Sequence, residues 1–244
     1  MNNLLPTTNP GYAPYHFYDN DSEELFKRNL KTKGPDWEYR NKSIKYTMNS
    51  LGYRTLEFDK IRWDQTVVMF GCSNTFGVGV NVKDSVPAQY SSITGIPAIN
   101  LGVPGCSTQY LLYNSAIYLK NFPKPRGVVI EYPDSSRCTL FLPERSDGFM
   151  PVNCGNWTED VSGLGRAWRR FDVNMVTHLK LLNLSLQQMW NDVPYVEYNV
   201  FPSNCRILPD CKYIKQIDFA RDESHPGSKT NRNAANYIAE TLNL

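Results

Sequence analysis

The sequence predicts an α/β fold, in which a parallel β-sheet is covered by helices on both faces. Short apolar runs rich in β-branched residues recur along the chain, as in strands that are buried on both faces of a sheet. Helical stretches lie between these runs, and strands that alternate with helices form βαβ units and hence parallel sheets. The composition is typical of a globular protein, because 41% of the residues are hydrophobic and 20% are charged.

Four strands and four helices make up the predicted core, which begins after residue 60. The strands are apolar runs that end at turn residues, and they are predicted at Thr66–Phe70, Ala98–Leu101, Gly127–Tyr132 and Tyr195–Phe201. The helices carry mixed polar and apolar residues, and they are predicted at Ser85–Ile93, Gln109–Leu119, Val173–Trp190 and Asn231–Leu242.

Two segments depart from this strand–helix rhythm. Residues 1–60 are rich in Asn, Tyr, Pro and charge, and we expect an N-terminal extension of loops, a short helix near Ser22–Asn29 and a hairpin, packed on a domain at 61–244. Residues 138–171 form a connection that is long for a compact domain, and such connections are usually functional loops or small insertions. We interpret this insertion as a candidate lid.

Charge and hydropathy argue against nucleic-acid and membrane partners. The net charge is +2 and no long basic run occurs, so the charge pattern does not indicate a nucleic-acid-binding surface. No stretch approaches the roughly 20 apolar residues that span a bilayer. The first residues lack a basic region followed by an apolar one, which favours a cytoplasmic or virion-associated location.

The six cysteines are spread along the chain and show no C-x-x-C spacing. This distribution argues against a zinc site and against a dense disulfide framework. The sequence does not exclude a disulfide between Cys205 and Cys211.

Residues that directly follow the strands are the ones to inspect, because ligands of open α/β sheets bind outside the carboxyl ends of the strands. The first strand is followed by Gly71-Cys72-Ser73-Asn74, which presents a hydroxyl at that edge. A turn or helix-capping serine is the alternative interpretation, since serine is common at turns. The glycines match neither the dinucleotide-binding pattern nor the phosphate loop. A nucleotide-binding protein is therefore the least favoured of the three functions that we consider.

A second candidate group lies near the C-terminus, just before the last predicted helix. Asp222 and His225 stand three residues apart there, so that the carboxylate can orient the imidazole. Of the other two histidines, His178 lies in a helical apolar pattern typical of a packing residue, and His16 lies in the irregular N-terminus.

Together these residues supply the three roles of a serine-nucleophile site. A serine hydroxyl needs a base within hydrogen-bond reach, and the base needs a group that fixes its tautomer. Ser73, His225 and Asp222 are the candidates for these roles. The developing oxyanion needs preformed donors, for which the backbone amides of Ser73 and Gly105 are suited.

The order of these motifs resembles the SGNH hydrolase family, also called GDSL-like esterases and lipases. The resemblance rests on Gly71-Cys72-Ser73 after the first strand, Asn100-Leu101-Gly102-Val103-Pro104-Gly105 after the second, and Asp222-Glu223-Ser224-His225 before the final helix. It covers about residues 45–244. An upstream segment, Asn49-Ser50-Leu51-Gly52-Tyr53-Arg54, is similar to one that precedes the catalytic domain in some bacterial and phage-associated members. The resemblance implies a three-layer α/β/α sandwich with a flavodoxin-like parallel sheet.

The resemblance also implies roles for individual residues. Ser73 would be the nucleophile, His225 the base, Asp222 its orienting carboxylate and Gly105 an oxyanion donor, with no metal or organic cofactor. Asn74 in the same block as Ser73 is a predicted substrate contact.

The chain departs from the family pattern at two places. Cys72 replaces the aspartate of G-D-S, and we interpret it as a buried neighbour and not a competing nucleophile. The third block, Glu131-Tyr132-Pro133-Asp134-Ser135-Ser136-Arg137, lacks the family's oxyanion asparagine, and Ser135 is its nearest positional match. Losing one such donor costs on the order of 3 kcal/mol of barrier. Ser135 or Arg137 is the candidate replacement, with Arg137 alternatively binding an anionic part of the substrate or forming a salt bridge.

Two functions of different classes follow from these observations. The first is an esterase that acts on a small-molecule or glycan ester, with a carbohydrate O-acetyl group as the preferred substrate and Phe149, Trp157 and Trp168 of the insertion as stacking candidates. The second is a non-catalytic carbohydrate-binding or structural module, for example of a phage or virus particle. Retention of Ser73, Asp222 and His225 together favours the enzyme.

Overall fold

The protein has the α/β architecture that the sequence predicts. The computed structural model describes residues 15–143, 149–154, 170 and 172–244, with side chains described except in 141–143 and 149–154. The strands are β1 Val67–Gly71, β2 Ala98–Gly102, β3 Gly127–Tyr132, β4 Cys138–Pro143, β5 Phe149–Cys154, β6 Tyr195–Asn199 and β7 Lys212–Tyr213. The helices are α1 Glu23–Thr32, α2 Ser73–Phe76, α3 Val86–Thr94, α4 Thr108–Asn121, α5 Asp172–Met189, α6 Pro202–Cys205 and α7 Ser228–Leu242.

The main sheet has five strands in the order β2-β1-β3-β6-β7, and all of its neighbouring pairs are parallel. The chain moves from β1 to β2 on one side and then crosses to β3 on the other side of β1. This is the flavodoxin-like order, with its switch point between β1 and β3. The predicted fold class is therefore confirmed, and the switch point lies where β1 delivers Ser73.

Helices cover both faces of the sheet because alternate residues of each strand point in opposite directions. Val68 and Phe70 of β1 belong to an apolar cluster that includes residues of α4 and α5. Val67 and Met69 belong to a second cluster, with residues of α3 and α7. β1 is buried along its whole length, as a central strand of a three-layer sandwich must be.

Most predicted element bounds agree with the structure to within a few residues, and the elements α2, α6, β4 and β5 were not predicted. Strand β6 ends at Asn199, two residues before the predicted end. Strand β7 has only two residues and was not predicted, because so short a strand carries no periodicity. Within the described part of the extension no hairpin forms, and isolated bridges join Tyr15 to Tyr46 and Tyr18 to Asp21.

The described part of the N-terminal extension packs against the turn that follows β1. Buried Tyr39, Ile44, Tyr46 and Met48 form an apolar cluster with Phe76 and Val78. The extension therefore contacts the region that carries Ser73. The division at residue 60 stays a prediction, since this packing does not define a domain boundary.

Part of the insertion is an antiparallel hairpin of β4 and β5. The side chain of Phe149 and all of Trp157 and Trp168 lie outside the described residues. The lid interpretation and the stacking role of these aromatic residues stay predictions.

Cys205 and Cys211 are both free thiols, so the disulfide that the sequence left open does not form. In the part of the chain that the structure describes, no helix has the length and apolar character needed to cross a membrane.

Candidate active site

The serine predicted to be the nucleophile begins helix α2, directly after β1. Ser73 is buried, with 3% of its surface exposed. The helix ends after one turn at Gly77, whose φ of 84° lies in the left-handed region that favours glycine. The tight turn that follows β1 thus places the serine at the carboxyl edge of the sheet.

Two glycines allow α2 to lie close against the strand ends. A Cβ atom at Gly71 would lie 2.1 Å from Thr75 Oγ1, and one at Gly102 would lie 2.4 Å from the backbone nitrogen of Phe76. Real Cβ atoms do not approach other atoms so closely, and the second contact is with backbone, which cannot rotate away. Gly102 is therefore required by the close packing of α2 on β2.

Alanine at Gly102 is expected to destabilise the protein by about 1–3 kcal/mol, because the added methyl group would displace α2. Urea unfolding of wild type and variant measures the difference in the free energy of unfolding. Gly34→Ala is the matched control, since a Cβ there meets nothing within 4 Å. Equal stabilities of the Gly102 and Gly34 variants would contradict the packing argument.

Two backbone N–H groups are available to an oxyanion. Among the described residues, no hydrogen bond uses the N–H of Ser73 or that of Gly105. Gly105 has a φ of 76°, a conformation that glycine adopts without strain. Within the part of the chain that the structure describes, the Ser73 hydroxyl donates one hydrogen bond, to the Cys72 sulfur at 3.9 Å, which is long even for sulfur. The hydroxyl and both amides are thus not committed to strong internal bonds.

The predicted acid–base pair is formed. His225 Nδ1 and Asp222 Oδ2 are hydrogen-bonded, and both residues are buried. Asp222 Oδ1 also accepts the backbone N–H groups of Ser224 at 3.3 Å and His225 at 3.1 Å. Burial by itself would raise the pKa of Asp222, but the bonds and charge of His225 and these amides lower it below its usual value. The carboxylate is therefore ionised and can fix the imidazole tautomer.

The loop that carries this pair lies against the turn that follows Ser73. The backbone N–H of Arg221 donates to the Gly79 carbonyl at 3.0 Å. A Cβ atom at Gly79 would lie 3.1 Å from Asp222 Oδ1, so the carboxylate is in close contact with that turn. In the described structure no hydrogen bond joins the Ser73 hydroxyl to the His225 ring. Such bonds are often long in unliganded enzymes and tighten with substrate.

The N-terminal extension holds the same loop in place. Arg221, next to Asp222, donates to Asp21 Oδ1 at 2.8 Å and to Asp21 Oδ2 at 2.7 Å. Asn29 Nδ2 donates to the Arg221 carbonyl at 3.2 Å. Tyr46 links the two regions, because its hydroxyl donates to Asp21 and accepts the backbone N–H of Gly79 at 2.7 Å.

Glu223, on the other side of Asp222, is also bound by the extension. Its carboxylate forms an ion pair with Lys33 and accepts the Trp37 indole N–H at 3.1 Å. Glu223 has a φ of 58°, an uncommon conformation for a residue with a side chain. The extension thus contacts both neighbours of Asp222.

Asp19, also in the extension, is a charged group that the sequence analysis missed. Its side chain is exposed to solvent, yet protein atoms surround it closely enough for burial to raise its pKa. The charges of His225 and Arg137 lower this pKa, and the charge of Asp222 raises it. Asp19 therefore lies within electrostatic reach of the acid–base pair, and no local sequence pattern could have shown this.

The third block is arranged differently from the family pattern. The backbone N–H of Ser135 donates to Asn204 Oδ1 at 3.1 Å, so this amide is engaged inside the protein. An oxyanion role for Ser135 would have to use its hydroxyl. Asn204 is itself fully buried and also binds the Pro133 carbonyl, which makes it a support of this loop.

Arg137 and Asn74, the two predicted substrate contacts, have described partners. The Arg137 guanidinium lies 5.3 Å from the centre of the Phe201 ring. Burial would lower its pKa, but neighbouring groups that include the Glu131 and Asp134 carboxylates raise it, so the side chain stays cationic. The Asn74 amide nitrogen donates to Glu131 at 2.8 Å, which argues against a substrate contact through that donor.

Comparisons with known proteins find similar solved structures. No protein-family model matches the chain, and no curated protein matches it. A lipolytic protein of the G-D-S-L family from Desulfitobacterium hafniense DCB-2 is 15% identical, with a TM-score of 0.43 over 72% of this chain and 99% of that chain. A member of the same family from Veillonella parvula DSM 2008 is 16% identical, with a TM-score of 0.41 over 72% and 96%. An acetyl xylan esterase from the rumen bacterium Butyrivibrio proteoclasticus is 11% identical, with a TM-score of 0.44 over 75% and 65%. Each of these three proteins is similar to this chain in fold, and the likeness says nothing about activity.

Proposed function

We propose that the protein is a serine esterase with Ser73 as nucleophile, His225 as general base and Asp222 as the orienting carboxylate. The observation that carries the proposal is the buried Asp222–His225 pair, whose loop contacts the turn that follows Ser73. A buried carboxylate bonded to Nδ1 leaves Nε2 of a neutral imidazole as the proton acceptor. This is the arrangement that activates a serine hydroxyl.

The reaction has two steps. Ser73 Oγ attacks the ester carbonyl and passes its proton to His225 Nε2, and the imidazolium then protonates the departing alcohol. Water next attacks the acyl-enzyme, with His225 again taking and returning the proton. The N–H groups of Ser73 and Gly105 are the proposed donors to the oxyanion in both steps.

Arg137 is the proposed replacement for the missing asparagine of the third block. It stays cationic and lies within electrostatic reach of Cys72, which precedes the nucleophile. A fixed cation near the developing oxyanion stabilises the negative charge that forms there. Ser135 is less suited to this role because its amide is engaged with Asn204.

The proposed substrates are esters of small acyl groups, with an O-acetyl group on a carbohydrate as the preferred class. This preference rests on the resemblance of the three sequence motifs to SGNH hydrolases. A non-catalytic carbohydrate-binding module is the alternative outcome of the experiment below.

A fluorophosphonate probe tests the proposal directly, because it reacts with an activated serine and not with a turn serine. We expect labelling of the wild type, with the modified peptide identified by mass spectrometry as the one that contains Ser73. Ser73→Ala is expected to lose the label. Ser136→Ala is expected to keep it, since this hydroxyl donates to Asp134 at 2.5 Å.

Absence of label on the wild type, or equal labelling of the Ser73 variant, would contradict an esterase at this site. Either result would favour the non-catalytic alternative.

A further inference from the structure

A buried carboxylate with no role in the proposed reaction lies against the turn that carries Ser73, residues 72–77, which we call the nucleophile turn. Glu131 belongs to β3 and is fully buried. Its two oxygens accept hydrogen bonds from five groups, all in the residues that flank Ser73. These groups are the backbone N–H of Cys72 at 3.2 Å, the Cys72 thiol at 3.2 Å, the Asn74 amide at 2.8 Å, the Thr75 N–H at 3.0 Å and the Thr75 hydroxyl at 2.6 Å.

Burying a carboxylate is costly unless hydrogen bonds compensate for the lost water. Here the donors come from residues 72, 74 and 75, so the bonds that satisfy Glu131 also fix the backbone around Ser73. Bonds to an ionised acceptor are roughly twice as strong as those between neutral groups. The carboxylate therefore holds the turn both before and after the serine.

The residues around Glu131 are consistent with this arrangement. A Cβ atom at Gly71 would lie 2.6 Å from Glu131 Oε2, so only glycine leaves the carboxylate room at that position. Burial and the Glu131 charge raise the pKa of Cys72 to about 12, which keeps its thiol protonated as a donor. An aspartate at position 72, as in G-D-S, would place a second carboxylate beside Glu131. Two such like charges repel each other strongly in a buried site.

We propose that Glu131 is the positioning residue of the nucleophile turn, and that it supplies from β3 the carboxylate that position 72 lacks. This inference rests on the proposed function, because the group positioned is the Ser73 hydroxyl together with its amide. Glu131 acts through the turn and does not touch the substrate.

Glu131→Gln tests the proposal with a side chain of the same shape. Glutamine offers one acceptor oxygen and turns an NH2 group toward N–H and O–H donors, so several of the five bonds are lost. We expect kcat for p-nitrophenyl acetate to fall by about 100-fold, the size of effect that a small misplacement of a reacting group has. KM is expected to stay within about twofold, since the binding contacts are unchanged.

Glu197→Gln is the matched control. Glu197 lies in the neighbouring strand β6 and also accepts several side-chain donors, from Tyr132, Tyr195, Asn183 and Gln187. These donors do not belong to the nucleophile turn. We expect kcat of this variant to match that of the wild type.

A double variant separates positioning from mere loss of folding. Cys72→Asp combined with Glu131→Gln removes the carboxylate from position 131 and introduces one at position 72. The two positions are in contact, since the Cys72 sulfur lies 3.2 Å from Glu131, and this sulfur also lies 3.5 Å from the Asn74 amide. We expect this variant to regain about tenfold in kcat over Glu131→Gln, because a charge-assisted bond to the turn is restored. If Glu131 only stabilised the fold, a carboxylate introduced at position 72 would not be expected to restore kcat.

Amide hydrogen exchange of the peptide that spans residues 70–77 provides a readout that does not depend on activity. We expect exchange there to be faster in Glu131→Gln than in the wild type, with no such change in Glu197→Gln. Unchanged exchange, unchanged kcat, or equal losses in the two glutamine variants would overturn the proposal. An inactive wild type with faster exchange in Glu131→Gln would instead refute the esterase and retain the role of Glu131 in holding the turn.

Discussion

Alanine at Ser73 is expected to lower kcat for p-nitrophenyl acetate by a factor on the order of 10⁶, and alanine at His225 by a similar factor. The two side chains act as one unit, because the hydroxyl is a poor nucleophile without its base and the base has no other proton to take. The double variant is therefore expected to be no slower than either single variant. Initial rates corrected for spontaneous hydrolysis of the ester measure the effect.

Asp222→Asn distinguishes a triad from a serine–histidine pair in the same assay. The asparagine keeps the shape of the side chain but allows the wrong imidazole tautomer, and the expected loss in kcat is about 10⁴-fold. His178→Ala is the control, because this partly buried histidine lies in α5, a helix that contributes no residue to the proposed triad. Multiplicative losses in the Ser73/His225 double variant would show that the two residues do not act as a unit, and would contradict the mechanism.

The sheet and its helices could be predicted because their signals are local. Each of the four predicted strands is a short apolar run, and each covering helix has its own periodicity. The alternation of strands and helices therefore predicts the parallel sheet and its functional edge. Ser73, Asp222 and His225 were found as candidates for the same reason, since the residues after strands and before the last helix can be located from the sequence alone.

The supports of the site could not be predicted because they depend on contacts between distant residues. Asp21 and Arg221 are 200 residues apart, and no periodicity connects them. The role of Asn204 at the third block arises from α6, which is too short to carry a pattern. Glu131 did leave one signal, a lone acidic residue within an apolar strand that is buried on both faces. A charge at such a position requires compensating donors, and this requirement predicts a polar network around Glu131.

The second large effect concerns the ion pair that joins the extension to the acid–base loop. Asp21 and Arg221 have side-chain exposures of only 1% and 3%, and the guanidinium makes two bonds to the carboxylate. The rings of Phe17 and Phe26 lie 4.7 and 5.1 Å from the guanidinium carbon, which shields it further from water. Removing one partner of such a pair leaves the other charge buried without compensation, which costs about 3–5 kcal/mol.

Asp21→Asn is therefore expected to lower the free energy of unfolding by about 3 kcal/mol or more, as measured in urea. Glu23→Gln is the control, because its ion pair with Lys27 is exposed and is expected to contribute no more than about 0.5 kcal/mol.

Removing both charges, with Asp21→Leu and Arg221→Met together, is expected to recover much of the loss, since no unpaired charge then remains buried. The pair also fixes the residue before Asp222, so kcat should fall in Asp21→Asn even at temperatures where the variant is fully folded. A variant that is destabilised but fully active would show that the ion pair stabilises the fold without positioning the Asp222–His225 loop. A variant as stable as Glu23→Gln would contradict the burial argument itself.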